Sequence, residues 1–204
     1  MQYQAVGNRC AIDLSTLSIP IDVSRRLLSQ LQFTLCEVDV VTHLRTCIKA
    51  SRYSRGVSIT EAPGVVDCSS LIKWVFAQKG IRVPRLSIQQ SVHGEEVPYP
   101  DMRRGDVLCT SGCVNFYDTD PNVRIGHVGL YTGEGTVIHA ASARAGVVEV
   151  STKKFLGRRT LHRIRRFSTE NTITVEFKEP LMVESSDDIK WMLLRSLPTL
   201  DRSP

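Results

Sequence analysis

No stretch of the 204-residue sequence approaches the roughly 18 consecutive apolar residues of a membrane-spanning helix, so no membrane span is expected. The first ten residues, Met1 to Cys10, hold no apolar core ahead of a cleavage-like site, which argues against a secretory signal. Cys10 follows no hydrophobic run, so a lipid-anchored start is not expected either. Aromatic residues make up only 6% of the chain, and none is interleaved as a stacking platform with its basic residues. The six cysteines (10, 36, 47, 68, 109 and 113) show no paired framework, which suits reduced thiols rather than a disulfide scaffold. Cys109 and Cys113 are spaced for zinc, but two further ligands would be needed and no second pair exists. Neither a metal nor another cofactor is therefore expected. Internal repeats and low-complexity segments are missing as well, which excludes solenoids and tail-like polymers.

What remains is an ordinary globular composition, 42% hydrophobic and 23% charged, enough for one domain with an excursion or two. The net charge of +5 is uneven. Residues 1–167 carry 22 Lys/Arg against 14 Asp/Glu, whereas residues 168–204 carry 4 against 7, giving +8 and −3. A basic body suits polyanions, and an acidic tail could be drawn electrostatically to it. The Arg-dense run Gly157–Phe167 is the obvious place to look for nucleic-acid binding. Its alternation fits an edge strand with one solvated charged face better, and nucleic acid is not an expected partner.

Helical spacing of Val23, Leu27, Leu28 and Leu31, with Asp22 as a cap, predicts a helix over 22–35. Val38, Val41, Leu44, Cys47 and Ile48 predict another over 37–52. A third opens at Asp67-Cys68-Ser69 and closes at Gly80, with Cys68, Leu71, Ile72, Val75 and Phe76 on one stripe. Beyond residue 105 come short β-rich runs, at 107–110, 127–132, 136–142, 147–152 and 160–167, punctuated by Gly, Asp and Asn. A last strand is expected at 173–177 and a last helix at 187–197, capped by Ser185 or Ser186. Helices first and an antiparallel meander second make an α+β protein. It divides into a helical extension (1–44), a central domain (45–167) and an acidic strand–helix appendix (168–204).

A cysteine in the first turn of a helix has unpaired backbone N–H groups and the positive end of the dipole beside it. Cys68 is placed there, so its thiolate can be stabilised and the same N–H groups can receive an oxyanion. A nucleophile also needs a base, and His127, between glycines in Gly126-His127-Val128-Gly129, offers one. His139, twelve residues on in the next strand, can orient that base. His43, His93 and His162 have no such partner pattern. If His127 and His139 share a sheet face, their even separation requires an odd hairpin loop, most simply Gly133-Glu134-Gly135.

Five blocks in order then resemble one family: Asp67-Cys68-Ser69, Val83–Gln90, Met102–Leu108, Gly126–Tyr131 and Val137–Ala140. Across residues 45–167 they are similar to the NlpC-type bacterial cell-wall cysteine peptidases. The resemblance implies a papain-like fold, with the nucleophile at a helix N-terminus packed on an antiparallel sheet. It also implies a Cys68–His127–His139 triad that cleaves peptidoglycan stem peptides between γ-D-glutamate and a diamino acid. Asp67 is read first as the cap of its helix, and the resemblance also lets it meet a substrate amine. Ser69, Arg85, Ser87 and Gln90 are candidates for the substrate cleft, although Arg85 or Gln90 could equally be structural, and Arg82, Arg103 and Arg104 are further cations for substrate carboxylates. Two departures bear on the substrate. Ser70 stands where the family usually has glycine, which would tighten the space beside Cys68. The usual aromatic block before Asp67 is missing, leaving Tyr53 as the stand-in. Other readings are an amidase, transpeptidase or acyltransferase on another γ-glutamyl or protein amide, and a catalytically silent scaffold. The expected partner is peptidoglycan or a muropeptide. The expected location is cytoplasmic as synthesised, with delivery to the wall by a signal-independent route.

Overall fold

The computed structural model describes residues 1–112, 124–157 and 159–197. The chain opens with β1 (Arg9–Asp13), α1 (Ile21–Gln30), β2 (Thr34–Cys36) and α2 (Val40–Cys47). It continues through β3 (Arg52–Tyr53), β4 (Val65–Val66), α3 (Cys68–Gln78), α4 (Ser87–Gln90) and β5 (Glu95–Glu96). The β-rich part follows as β6 (Val107–Ser111), β7 (Ile125–Tyr131), β8 (Thr136–Ser142) and β9 (Gly146–Ser151). Last come α5 (Thr152–Leu156), β10 (Leu161–Arg166), β11 (Thr172–Glu176) and α6 (Ser186–Arg195). These elements form two compact units.

The first unit gathers Met1–Val38, Lys79–Arg82 and the segment from Thr169 onward. Its sheet has the order β1-β11-β2, antiparallel throughout, so Glu176 lies opposite Arg9 on one side and Thr34 on the other. The two ends of the chain, read from sequence as separate extensions, thus share one sheet. Cys10, Ala11, Ile12 and Val175 are wholly buried, so both faces of the sheet are covered there, and Phe33 meets Phe177 edge to face at 6.4 Å. The helix predicted over 22–35 stops at Gln30. Gln32 then takes a left-handed φ of 66°, and the chain turns into β2. Asp22 lies in the first turn of α1 rather than at its cap, which is Pro20. At the other end Ser185 and Asp188 close a capping box on α6, as the sequence pattern suggests.

The second unit gathers Asp39–Gln78 and Val83–Ser168. Asp39 caps α2 by accepting from the N–H groups of Val41 and Thr42, so that helix is shorter than the spacing predicts. The six-stranded sheet runs β5-β10-β6-β7-β8-β9, every neighbour antiparallel. α3 packs across β7 and β8. Its stripe of Leu71, Ile72, Val75 and Phe76 is fully buried, and Phe76 meets Phe167 edge to face at 4.9 Å. Burying a side chain of this size contributes about 2–3 kcal/mol, which fixes the helix against the sheet and with it the place of Cys68.

β10 is not a solvated edge. It lies between β5 and β6, and Arg165 is only 8% exposed. Arg165 donates to the Ser91 carbonyl and to Glu96, while Arg166 grips the buried Asp106 at 2.8 Å. Buried guanidinium groups persist only when paired, and these are. Arg165 and Arg166 of the Arg-dense run therefore spend their charge on partners within the fold.

Candidate active site

The geometry starts at Asp67. Its carboxylate accepts from the Ser70 N–H at 2.7 Å, and Ser70 Oγ accepts in return from the Asp67 N–H at 2.8 Å. This reciprocal cap starts α3 at Cys68. Ser70 is wholly buried and faces away from the groove, so the residue expected to crowd the nucleophile instead completes the cap. Arg85 clamps Asp67 at 2.6 Å and also donates to Ser69 Oγ and the Val57 carbonyl. Burial raises the Asp67 pKa, but Arg85 and the N–H groups of Ser70 and Gly56 outweigh it and hold the carboxyl below its usual range.

The histidines come from β7 and β8. Tyr131 pairs with Val137, and Thr132 N–H closes on the Thr136 carbonyl, so the loop is Gly133-Glu134-Gly135. Both glycines have positive φ, 83° and 75°, where side chains are strained. The odd loop puts both histidines on one face. His127 Nε2 lies 2.9 Å from His139 Nδ1, with the rings at 86° to one another. Phe155 from α5 packs against both rings, at 5.6 Å and 4.9 Å. A Cβ on Gly129 would come within 2.8 Å of that phenyl ring and 2.6 Å of Val137, so the glycine after His127 makes room for this support.

Cys68 and His127 line one groove of about 650 Å³. One wall is the loop and helix side: Tyr53, Arg55, Gly56, Asp67, Ser69, Arg85 and Ser87. The other is one end of the sheet, where β6 and β8 finish and β7 starts, with Gly112, Gly126, Ala141, Ala143 and Arg159. Of the eight residues proposed from sequence, six line this groove, and a seventh, His139, stands behind it on His127. The exception is Gln90, wholly buried, whose Nε2 ties the Ser69 and Pro84 carbonyls together behind the wall. Arg82 lies in the other unit, Arg103 does not reach the groove, and Arg104 is held by Asp39 and Glu134. Arg159 and Phe155 had no motif to mark them.

Enclosure sets the protonation state. Burial, with Asp67 adding to it, pushes the Cys68 thiol up to about 11 against the opposing N–H groups of Val128 and Ser69 and the Arg85 charge. Burial pulls His127 down to about 3, helped by His139 and Arg159. His139 falls to about 4, from burial first and Arg159 second. The free site therefore rests as a neutral thiol beside neutral imidazoles, not as the thiolate suggested by the helix terminus alone. Tyr53 is also held protonated, by burial and then by the neighbouring Cys68. Among the described residues no cluster of three or more His, Cys, Asp or Glu could hold a metal ion, and Cys113 lies outside them.

A model of the NlpC/P60 family matches residues 50–166. A probable endopeptidase of Corynebacterium glutamicum is 37% identical over 112 residues, 55% of this chain and 46% of that protein. Peptidoglycan endopeptidase RipB of Mycobacterium tuberculosis is 36% identical over 98 residues, covering 48% of this chain and 36% of RipB. A gamma-DL-glutamyl hydrolase of Bacillus subtilis is 31% identical over 121 residues, 59% of this chain and 27% of its own. The solved structure of NlpC1 from Trichomonas vaginalis aligns with a TM-score of 0.54 at 26% identity, over 64% of this chain and 44% of that one. The matched part thus spans less than half of each of these relatives.

Proposed function

Because the chain belongs to the NlpC/P60 family, we propose that it is a cysteine peptidase cleaving stem peptides of peptidoglycan between γ-D-glutamate and a diamino acid. The observation that carries this reading is that His127, which shares a groove with Cys68, is held from behind by a 2.9 Å hydrogen bond to His139. With the shared proton on His127 Nε2, His139 accepts at Nδ1 and His127 keeps its lone pair on Nδ1, the form a general base needs. The Cys68 sulfur attacks the scissile carbonyl carbon as its proton passes to His127. The N–H groups of Ser69 and Val128 already face that sulfur and favour the charge it develops. The backbone N–H of Cys68 receives the oxyanion. Collapse breaks the C–N bond, His127 returns the proton to the leaving amine, and a thioester remains on Cys68. Water, deprotonated by His127, then hydrolyses the thioester and restores the thiol.

The test is mass spectrometry of purified tri- and tetrapeptide muropeptides after incubation. Products split at the γ-D-glutamyl bond, absent with Cys68→Ala, are expected. If an ordinary γ-glutamyl or protein amide is cut while every muropeptide survives, the cysteine-hydrolase chemistry stands and the cell-wall substrate falls. Thiol-probe labelling of Cys68 that is unchanged by His127→Ala would instead favour a silent scaffold.

A further inference from the structure

The groove's two walls are charged differently. On the helix side the Arg85 cation is neutralised at contact by Asp67 and its donors are engaged by Asp67, Ser69 and Val57. Arg55 has its donors partly committed to Tyr53. At the sheet end stands Arg159, half-buried, with Nη1 donating to the Phe155 carbonyl at 2.8 Å and the guanidinium 5.8 Å from the Phe155 ring centre. No carboxylate pairs with it among the described residues. The same phenyl ring packs against both histidines, so Arg159 is held beside the catalytic pair by the element that supports it. Gly112, Gly126, Ala141 and Ala143 leave the groove wide beside it.

A cysteine hydrolase protonates its leaving amine from the histidine, so the histidine wall is the leaving-group wall. Resting on the function proposed above, we infer that Arg159 is a specificity-determining residue that pairs with a carboxylate on the diamino acid of the leaving fragment. A guanidinium fork suits a carboxylate and gains little from a carboxamide. Such an anion would also offset the positive charge that helps hold His127 and His139 neutral, and so strengthen the base when the correct substrate is bound.

The experiment compares two γ-D-glutamyl stem peptides that differ only in the diamino acid's free carboxylate, intact in one and converted to the carboxamide in the other. Steady-state kinetics are measured for the wild type, Arg159→Gln and Arg159→Lys. A charge-assisted pair predicts that the wild type favours the carboxylate by about 10-fold or more in kcat/KM. Arg159→Gln should erase that preference mainly through KM, and Arg159→Lys should restore part of it. Equal wild-type rates on both peptides would overturn the inference and leave the proposed function standing. A wild type that discriminates, with Arg159→Gln slowing both peptides by the same factor, would overturn it too, leaving Arg159 as mere packing for Phe155. If the wild type cuts neither peptide, the proposed substrate fails and this inference fails with it.

Discussion

Burial keeps Cys68 protonated and His127 unprotonated, and each of these states has a consequence for rate. A base that must be neutral loses activity only when it gains a proton. With His127 lowered to about 3 from an ordinary 6.5, kcat/KM should stay within about twofold between pH 7 and pH 5. A pH–rate profile whose acid limb lies at or above 6.5 would show instead that the imidazolium is stable in the free enzyme. The same shift acts on stability with a definite sign. Neutral histidines buried in the fold contribute stability above about 6.5, and this is lost as the pH falls toward about 3–4, because the unfolded chain takes up the protons first. Cys68→Ala should abolish turnover with the fold intact, and His127→Ala should nearly do so. His139→Ala should leave turnover about 100-fold down but above that baseline, since it removes only the group that orients the base. These three residues were legible in the sequence because ordered blocks surround them. Arg159 was not, because it is one arginine among many and its role depends on where the chain before β10 returns to the groove. Gln90 stood open between cleft wall and structural support, because a polar residue on a short helix gives no sign of which way it points, and its burial decides for support.

At the scale of elements, all six strands beyond residue 105 and the helix carrying Cys68 were legible, because alternation and helical spacing coincide there with Gly and Asp punctuation. β2 was hidden because leucines at helical spacing run up to the single left-handed residue, Gln32, that ends α1. The β7–β8 loop links element geometry to chemistry. Deleting Glu134 leaves a two-residue turn, and a one-residue slip sends alternate side chains to the opposite face. Activity should be lost. Glu134→Ala is the matched control: it removes the ion pairs to Arg45 and Arg104 but keeps the loop length, and should retain activity. An active deletion variant would show that the register is held elsewhere. Gly129→Ala tests the support from behind. The added methyl group would overlap Phe155 and Val137, costing about 1–3 kcal/mol and displacing the ring on which both histidines rest. Thermal denaturation together with kcat reads both effects.

For the whole molecule, the uneven charge suggests a regulatory tail, with −3 on residues 168–204 against +8 on the rest. Such a tail would inhibit by attraction, and its removal would raise activity most at low salt, where screening is weakest. The topology assigns the same residues a different task. β11 is the middle strand of its sheet, and both β1 and β2 hydrogen-bond to it and not to each other. Without it the ladder of Arg9–Asp13 has no partner strand, and Cys10, Ala11 and Ile12 lose their cover on a segment whose backbone groups are costly to leave unpaired. The Arg9 and Ala11 N–H groups bond to the Val6 and Gly80 carbonyls, so truncation after Ser168 should abolish the amide-exchange protection of Cys10 and Ile12 first, at every ionic strength. Hydrogen exchange on the truncated and full chains, at low and high salt, separates the two accounts. Retained protection in β1 together with an activity gain confined to low salt would make the tail a regulator. Loss of protection regardless of salt makes it the strand that holds the first unit together.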